Sequence, residues 1–288
     1  MNRQLALRRH TEMSQTLRLL LKSSGGFILE ECRETLRYRY VISNYVYTSL
    51  AVKYKRSFLG YLWTVLSPLI RFLIMGYVFA TLGRFDMPHY YAFMFLGAVY
   101  FGFVSSSMAG AGNIFLQNEH FIKKIYLPKL VFVLNQLCFE FINFVLIFCS
   151  IVILLISMKE VTVSIHWAFV FVSLLITLVA LIGFAMTMAV ASVYFRDLPH
   201  ILEICMSSLF FATPIMYPIE ITLKNNLFHN IVVWNPLYYF TELFRMPLRS
   251  NQIPDIKIIG ICLVISISVL MVGFFVLGKF NNRIIFKL

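Results

Sequence analysis

The chain has 288 residues, of which 60% are hydrophobic and only 13% are charged, and its mean hydropathy is +0.80. Soluble domains carry about 25% charged residues, so this composition excludes a soluble globular protein and predicts one that is embedded in a bilayer. The formal charge is +12. Because the cations lie mostly between apolar stretches, they indicate contact with anionic lipid headgroups and not with nucleic acid.

Residues 1–56 form the first predicted unit, a cytoplasmic basic arm that ends in an amphipathic interface helix. Within residues 27–52, apolar side chains follow helical spacing, while Arg37 and Arg39 fall elsewhere around the helix. Such a helix is typical of a membrane surface. A helix packed on a soluble partner is the alternative. Three cations close the arm: Lys53, Lys55 and Arg56.

The remaining residues, 57–288, are predicted to form the membrane domain. Crossing a ~30 Å hydrocarbon core takes about 20 apolar residues. Six stretches qualify: 62–82, 91–112, 130–157, 167–194, 198–216 and 258–277. The fifth is short. Pro214 lies near its end and Pro218 follows it, and these two prolines remove backbone donors and break the helix. The predicted fold is an all-α integral membrane protein with six transmembrane helices.

Lysine and arginine residues orient these spans, because cytoplasmic loops carry an excess of them. Eighteen of the 25 lie in the arm, in the loop between spans two and three, in the turn between spans four and five and in the C-terminal tail; six lie on the opposite side, and Arg71 lies within span one. Both termini are therefore predicted to be cytoplasmic.

The segment 217–257 then becomes the large outer element. It is rich in apolar and aromatic residues, which a solvated loop does not need. We expect short re-entrant helices buried in protein, since broken backbone is tolerated at membrane depth only there. A compact outer cap is the alternative.

Two charges lie deep within predicted spans. Arg71 is nine residues into span one and Glu140 is ten residues into span three, which corresponds to depths of ~14 and ~15 Å. Both spans start from the predicted cytoplasmic side, so the depths agree. An isolated charge is expensive there, and we therefore predict that the two residues pair or share a polar cavity. Separate snorkelling is the alternative.

Several motifs resemble those of the polysaccharide-exporting ABC-2-type permeases, the membrane subunits that export O-antigen, capsule and teichoic-acid glycans. They occur in order from about residue 45 to the end. They are KRSFLGYLW at 55–63 followed by Ser67-Pro68, Lys123-Lys124 before Pro128, YFRD at 194–197, TPIMY at 213–217 and WNPL at 234–237.

The resemblance implies a homodimer that works with two copies of a separate cytoplasmic ATPase subunit in a bacterial inner membrane. It implies export of a lipid-linked polysaccharide such as O-antigen, with undecaprenyl pyrophosphate as the expected carrier. The sequence contains no GxxxxGK[ST] motif, so ATP and Mg²⁺ are expected on the partner. The chain itself is expected to be a non-catalytic subunit without a cofactor, in contact with membrane lipids and not with nucleic acid.

In the resembled family, the loop between spans two and three is a coupling helix that docks on the ATPase. Here this loop is 113–124, and its apolar and polar residues alternate at helical spacing. An ordinary interfacial turn helix is the alternative. The residues predicted to couple the chain to the ATPase are Asn113, Phe115, Gln117, Glu119, Phe121, Lys123 and Lys124.

Two further sites follow from the same interpretation. Lys53, Lys55 and Arg56 fix topology, and they are also predicted to bind the pyrophosphate of the substrate at its cytoplasmic entrance. Aromatic residues make up 16% of the chain, and most of them are expected to form membrane belts or packing contacts. A subset is predicted to line the glycan path at the outer gate: Tyr217, Trp234 and Tyr238.

Two other function classes stay open from the sequence. An ion-coupled secondary transporter needs a midplane ionisable cluster, often with inverted repeats. Arg71 and Glu140 provide only two members of such a cluster. A membrane glycosyltransferase or polymerase needs carboxylates or histidines grouped in one aqueous loop. The outer carboxylates Glu220, Glu242 and Asp255 are spread over 36 residues, and no HxxxH or HxxH spacing supports a metal site.

Overall fold

The computed structural model describes residues 24–53, 59–82, 88–125 and 127–288. In these ranges all regular secondary structure is helical and no β-strand occurs, which confirms the predicted all-α class. The helices are α1 (Ser24–Arg37), α2 (Arg39–Lys53), α3 (Trp63–Leu82), α4 (Tyr90–Ala111), α5 (Ile114–Gln117), α6 (Glu119–Lys124), α7 (Lys129–Ser157), α8 (Phe169–Tyr194), α9 (Leu198–Ala212), α10 (Asn226–Trp234), α11 (Pro236–Arg249) and α12 (Ile256–Lys287).

Five of the described helices, namely α3, α4, α7, α8 and α12, are long and apolar enough to cross a membrane. The fifth predicted span, 198–216, is shorter in the structure. It corresponds to α9, whose 15 residues reach only about 22 Å of a ~30 Å core. The helix ends at Ala212, just before the proline break that the sequence predicts. The count of six spans therefore stays a prediction.

Helix α4 is the centre of the bundle and contacts α3, α7, α8, α9 and α11. Its apolar residues lie on every side of the helix, which is typical of a fully surrounded helix. In its most apolar stretch, 72% of the residues are buried. In the corresponding stretch of the first span, which includes most of α3, only 11% of the residues are buried. The first span therefore leaves most of its apolar surface for lipid or another chain.

Helices α8 and α12 make the most extensive contact of the bundle. They touch backbone to backbone, since a Cβ on Gly183 would lie 2.4 Å from the Val269 carbonyl oxygen and one on Gly273 would lie 2.5 Å from the Gly183 carbonyl oxygen. Nearby, the Ser266 hydroxyl donates to the Ile176 carbonyl at 2.9 Å. Small residues let helices approach closely where lipid provides no hydrophobic driving force between them.

Polar contacts join the arm to one end of the bundle. The buried Glu31 carboxylate of α1 accepts a hydrogen bond from the Leu130 N–H at 3.3 Å, in the first turn of α7. Burial raises the pKa of this carboxyl, whereas its bond to Leu130 and the charge of Lys129 oppose that rise. The Lys129 ammonium in turn donates to Asn281 near the end of α12. The arm, the start of α7 and the tail thus share one end, in agreement with the sides that the charges predict.

The segment 217–257 contains the short helices that the sequence predicts. A 3₁₀ turn at Ile219–Lys224 leads into α10 and α11. Helix α11 packs against α4, α8 and α12 through buried side chains that include Phe240, Phe244 and Leu248. Re-entry of these helices into the bilayer stays a prediction.

Replacing Gly273 by Val tests the α8–α12 crossing. The added side chain has no room between the two backbones, so we expect the melting temperature in detergent to fall by more than about 5 °C, or the folded protein to be lost. Gly260→Val is the control on the same helix, because a Cβ at Gly260 would have no atom within 4 Å apart from the adjacent backbone of its own helix. Equal melting temperatures for the two variants would contradict the close crossing.

Candidate functional site

A cavity of about 460 Å³ lies between α3, α4 and α7, and its mouth includes Lys53, the last residue of α2. Its wall carries an unusual share of polar side chains for an apolar bundle. These side chains are Lys53, Thr64, Ser67, Arg71, Ser106, Glu140 and Asn143. A cavity with several polar partners can hold water or a polar ligand, and ionisable groups within spans mark functional sites.

Helix α7 provides one wall of this cavity. Glu140 and Asn143 are three residues apart and therefore lie on the same helix face. The Glu140 carboxylate accepts a hydrogen bond from the Gln136 side-chain amide at 3.3 Å. The Lys53 ammonium lies 5.1 Å from the centre of the Phe139 ring. Lys53 thus contacts α7 as well as lining the cavity.

Arg71 and Glu140 line the same cavity, which corresponds to one of the two arrangements that the sequence predicts. They form no ion pair with each other or with any other described residue. The ion pairs within the described ranges are His89–Glu160, Lys123–Glu119 and Arg245–Glu242. Glu140 instead accepts a hydrogen bond from Gln136 and lies within range of the Lys53 charge.

Asn143 is a cavity residue that the sequence analysis missed. It is 5% exposed, and its side-chain oxygen accepts a hydrogen bond from the Tyr61 hydroxyl at 3.3 Å. Its amide nitrogen has no partner among the described residues. A buried donor left unpaired costs about 1–3 kcal/mol, so this N–H can bind an acceptor inside the cavity. The available signal was a polar residue one helical turn after Glu140 in an apolar span.

The three cations predicted at the entrance are only partly described. Lys53 lines the cavity, whereas Lys55 and Arg56 lie outside the described residues. Their predicted role in binding pyrophosphate stays a prediction.

The predicted docking loop, 113–124, forms the two short helices α5 and α6, which meet at Asn118. Phe115 is fully buried while Phe121 is 48% exposed. Phe115 therefore anchors the loop in the bundle and cannot contact a partner directly, which corrects its predicted place on the docking surface; Asn113 is half-buried. The exposed residues of the loop are Gln117, His120, Phe121, Lys123 and Lys124.

Helix α2 is joined to this loop. The Tyr45 hydroxyl donates to the Asn118 side-chain oxygen, and the Tyr45 ring meets the Phe121 ring edge-on with centres 6.0 Å apart. Asn118 also donates to the Ile114 carbonyl at 2.7 Å. On the outside of α6, Lys123 bonds to Glu119 at 2.6 Å and lowers the pKa of that carboxyl. The loop is thus a fixed structure and not a free turn.

The three aromatics predicted for the outer gate differ in their surroundings. Tyr217 is half-buried and its hydroxyl donates to the Phe211 carbonyl at 2.8 Å. Tyr238 is half-buried against Tyr239, whereas Trp234 is 86% exposed. The ring contacts found for Tyr217 and Tyr238 are with other residues. The structure does not bring the three rings together within the chain.

Arg245, which the sequence analysis counted as an outer cation, is instead buried. It is 1% exposed on α11 and forms an ion pair with Glu242. Its guanidinium carbon lies 3.6 Å from the centre of the Phe93 ring of α4. Glu242, considered above as a catalytic carboxylate, is therefore paired. The available signal was the placement of Arg245 next to Phe244 on the apolar face of an amphipathic helix.

The match to known proteins covers the cavity, the loop and the segment that contains Arg245. Residues 43–248 match the protein-family model described as "ABC-2 type transporter". The chain is 27% identical over 225 residues to the O-antigen export system permease protein RfbA of Myxococcus xanthus, covering 77% of this chain and 85% of that protein. It is 27% identical over 237 residues to a protein of the same name from Klebsiella pneumoniae, covering 81% and 89%.

Tyr45→Phe tests the link between α2 and the loop. Losing one hydrogen bond costs about 1 kcal/mol, so amide hydrogen exchange within 114–124 should become about fivefold faster. Tyr47→Phe is the control, because Tyr47 lies on the same helix and is 72% exposed. Exchange that does not differ between the two variants would show that the link does not stabilise the loop.

Proposed function

The chain belongs to the ABC-2 type transporter family, whose members are non-catalytic membrane subunits of ABC transporters, and we propose that it exports a lipid-linked polysaccharide such as O-antigen. The names of its relatives support this substrate class. The observation that carries the proposal is the position of Lys53, an exposed cation that lines a cavity between three apolar helices together with several polar side chains. An amphiphile with a phosphate linker needs both features, a cation for the linker and a polar recess beside the bilayer.

The energy for export comes from a partner subunit that hydrolyses ATP. Two copies of a cytoplasmic ATPase subunit, which bind ATP and Mg²⁺, dock on two copies of this chain. The exposed face of α5 and α6 supports this docking, since it combines an apolar centre at Phe121 with a polar rim at Gln117, Lys123 and Lys124. The largely uncovered apolar surface of α3 supports contact with a second copy or with lipid.

The substrate enters from the cytoplasmic face of a bacterial inner membrane, where both termini lie. Lys53, Lys55 and Arg56 bind the pyrophosphate of an undecaprenyl carrier by charge-assisted hydrogen bonds. The glycan leaves past the outer segment, where Tyr217, Trp234 and Tyr238 offer ring faces to sugars. Half-buried and exposed rings at that end support this path.

An ion-coupled secondary transporter is the second candidate, because Arg71 and Glu140 share a cavity within the bundle. Transport energised by ATP continues when a proton gradient is collapsed and ATP is maintained. Export that stops under those conditions would favour the second candidate.

Phe121→Ala tests the docking surface. Truncating an interface aromatic costs about 1–2 kcal/mol, so the ATPase subunit that co-purifies with the chain should fall by about tenfold. Phe286→Ala is the control, since Phe286 is 88% exposed in the tail at the same end of the bundle. An equal loss in both variants would argue against docking on the loop.

Replacing Lys53, Lys55 and Arg56 together by Gln tests the entrance. We expect export to fall by about tenfold at unchanged protein level in the membrane, because the phosphate loses its charge-assisted donors. Arg33, Arg37 and Arg39 are exposed cations of the same arm, and their joint replacement by Gln removes the same charge as a control. Undiminished export by K53Q/K55Q/R56Q would refute the entrance.

A further inference from the structure

The break after α9 leaves backbone carbonyls without helical partners. Two prolines in 213–218 end the helix, and unpaired carbonyls within a buried segment are costly. Side chains from two other parts of the chain satisfy three of these carbonyls. The pairs are Asn235 with Ala212 at 3.4 Å, Arg245 with Pro214 at 3.2 Å and Tyr90 with Met216 at 2.7 Å.

Arg245 joins the break to two helices at once. One guanidinium nitrogen donates to the Pro214 carbonyl and also to the Phe93 carbonyl of α4, at 3.4 Å. The other terminal nitrogen pairs with Glu242 on its own helix. A guanidinium can do this because its donors are fixed in a planar fork. One side chain thus holds α11, the break and α4 together.

The wall opposite Arg245 is shaped to receive it. A Cβ at Gly97 would lie 3.3 Å from the guanidinium nitrogen and 3.5 Å from the Ile215 side chain. Ile215 is fully buried. The absence of a side chain on this face of α4 therefore makes room for Arg245 and for the broken segment together.

The contacts that Arg245 makes with the break and with α4 can be broken. The Arg245 Nε has no hydrogen-bond partner in the described part of the chain, and the bond to Phe93 is long. Burying an ion pair removes both charges from water, and this desolvation offsets much of their attraction. Such a pair defines a position more than it adds stability, and a charge that moves out regains its hydration.

We propose that Arg245 is the positioning residue of the outer exit. Its guanidinium keeps the segment 213–216 closed against α4 between transport cycles, and the exit opens when the bond to the Pro214 carbonyl breaks. The proposal rests on the proposed function in one respect, the placement of the segment 213–216 on the outer side of the membrane. It assumes no particular substrate.

The test measures access of water to Ile215 in isolated membranes, which expose both faces. In the Ile215→Cys chain, reaction with a water-soluble maleimide should stay at the background that the native cysteines set in the parent. The double substitution Arg245→Met with Glu242→Gln removes both members of the ion pair, so neither is left buried without the other. In this background we expect labelling of the new cysteine to become at least about tenfold faster, and export to fall at unchanged protein level.

Arg249→Met is the matched control. Arg249 lies one turn later on α11, and its guanidinium carbon is 5.1 Å from the same Phe93 ring. It should leave labelling at background. Equal labelling with and without Arg245, or the same increase in the Arg249 variant, would overturn the proposal.

A second variant covers the case in which the double substitution does not fold. Phe93→Leu removes the ring beneath the guanidinium and keeps both charges, and it should raise labelling by about threefold. Unchanged labelling in this variant would also overturn the proposal. Because labelling needs neither polysaccharide nor ATPase, it can fail while the proposed function stands, and the reverse also holds.

Discussion

The need to pair every backbone polar group in an apolar environment governs this structure. Regular helices meet that need internally, which is why the described chain is helical throughout its long apolar stretches. The segment 213–218 cannot do so, because its prolines end α9. Side chains from three places pair the backbone of this break: α11 brings Arg245, the α10–α11 link brings Asn235, and α4 brings Tyr90. The amphipathic sequence of α11 follows from its task of covering the break.

The same rule separates the two charged sites. At Arg245 and Glu242, both partners are at hand and the cation is 1% exposed, so the charges are used within the protein. At the inner cavity, Arg71 and Glu140 make no ion pair and Asn143 keeps a donor without a partner in the described residues. Charges satisfied internally suit a positional role, whereas charges facing an open recess suit a ligand.

The sequence predicted the features that depend on local chemistry. Long apolar runs identified the five long helices, two prolines identified the break, and cation counts grouped the arm, the loop and the tail at one end. It could not predict which side of a short helix meets the bundle, because that depends on tertiary neighbours. Phe115 and Phe121 fit the same helical pattern, yet one is buried and the other is half exposed. Arg245 was misplaced for the same reason: a cation between spans is usually in water, and only the neighbouring Phe93 and Glu242 make its burial possible.

Helix α4 connects the two ends of the proposed transport cycle. Its 22 residues extend about 33 Å; Phe93, beneath Arg245, lies near one end, and Ala111, which adjoins the loop of α5 and α6, lies at the other. Neighbours on every side keep this helix rigid, since close-packed interiors transmit displacement and do not absorb it. In the proposed cycle, a movement that an ATPase imposes on the loop would reach the Phe93 carbonyl, one of the two carbonyls that Arg245 holds. On this proposal, displacing that carbonyl would change the geometry that closes the exit, and the docking loop and the exit would act on opposite ends of one helix.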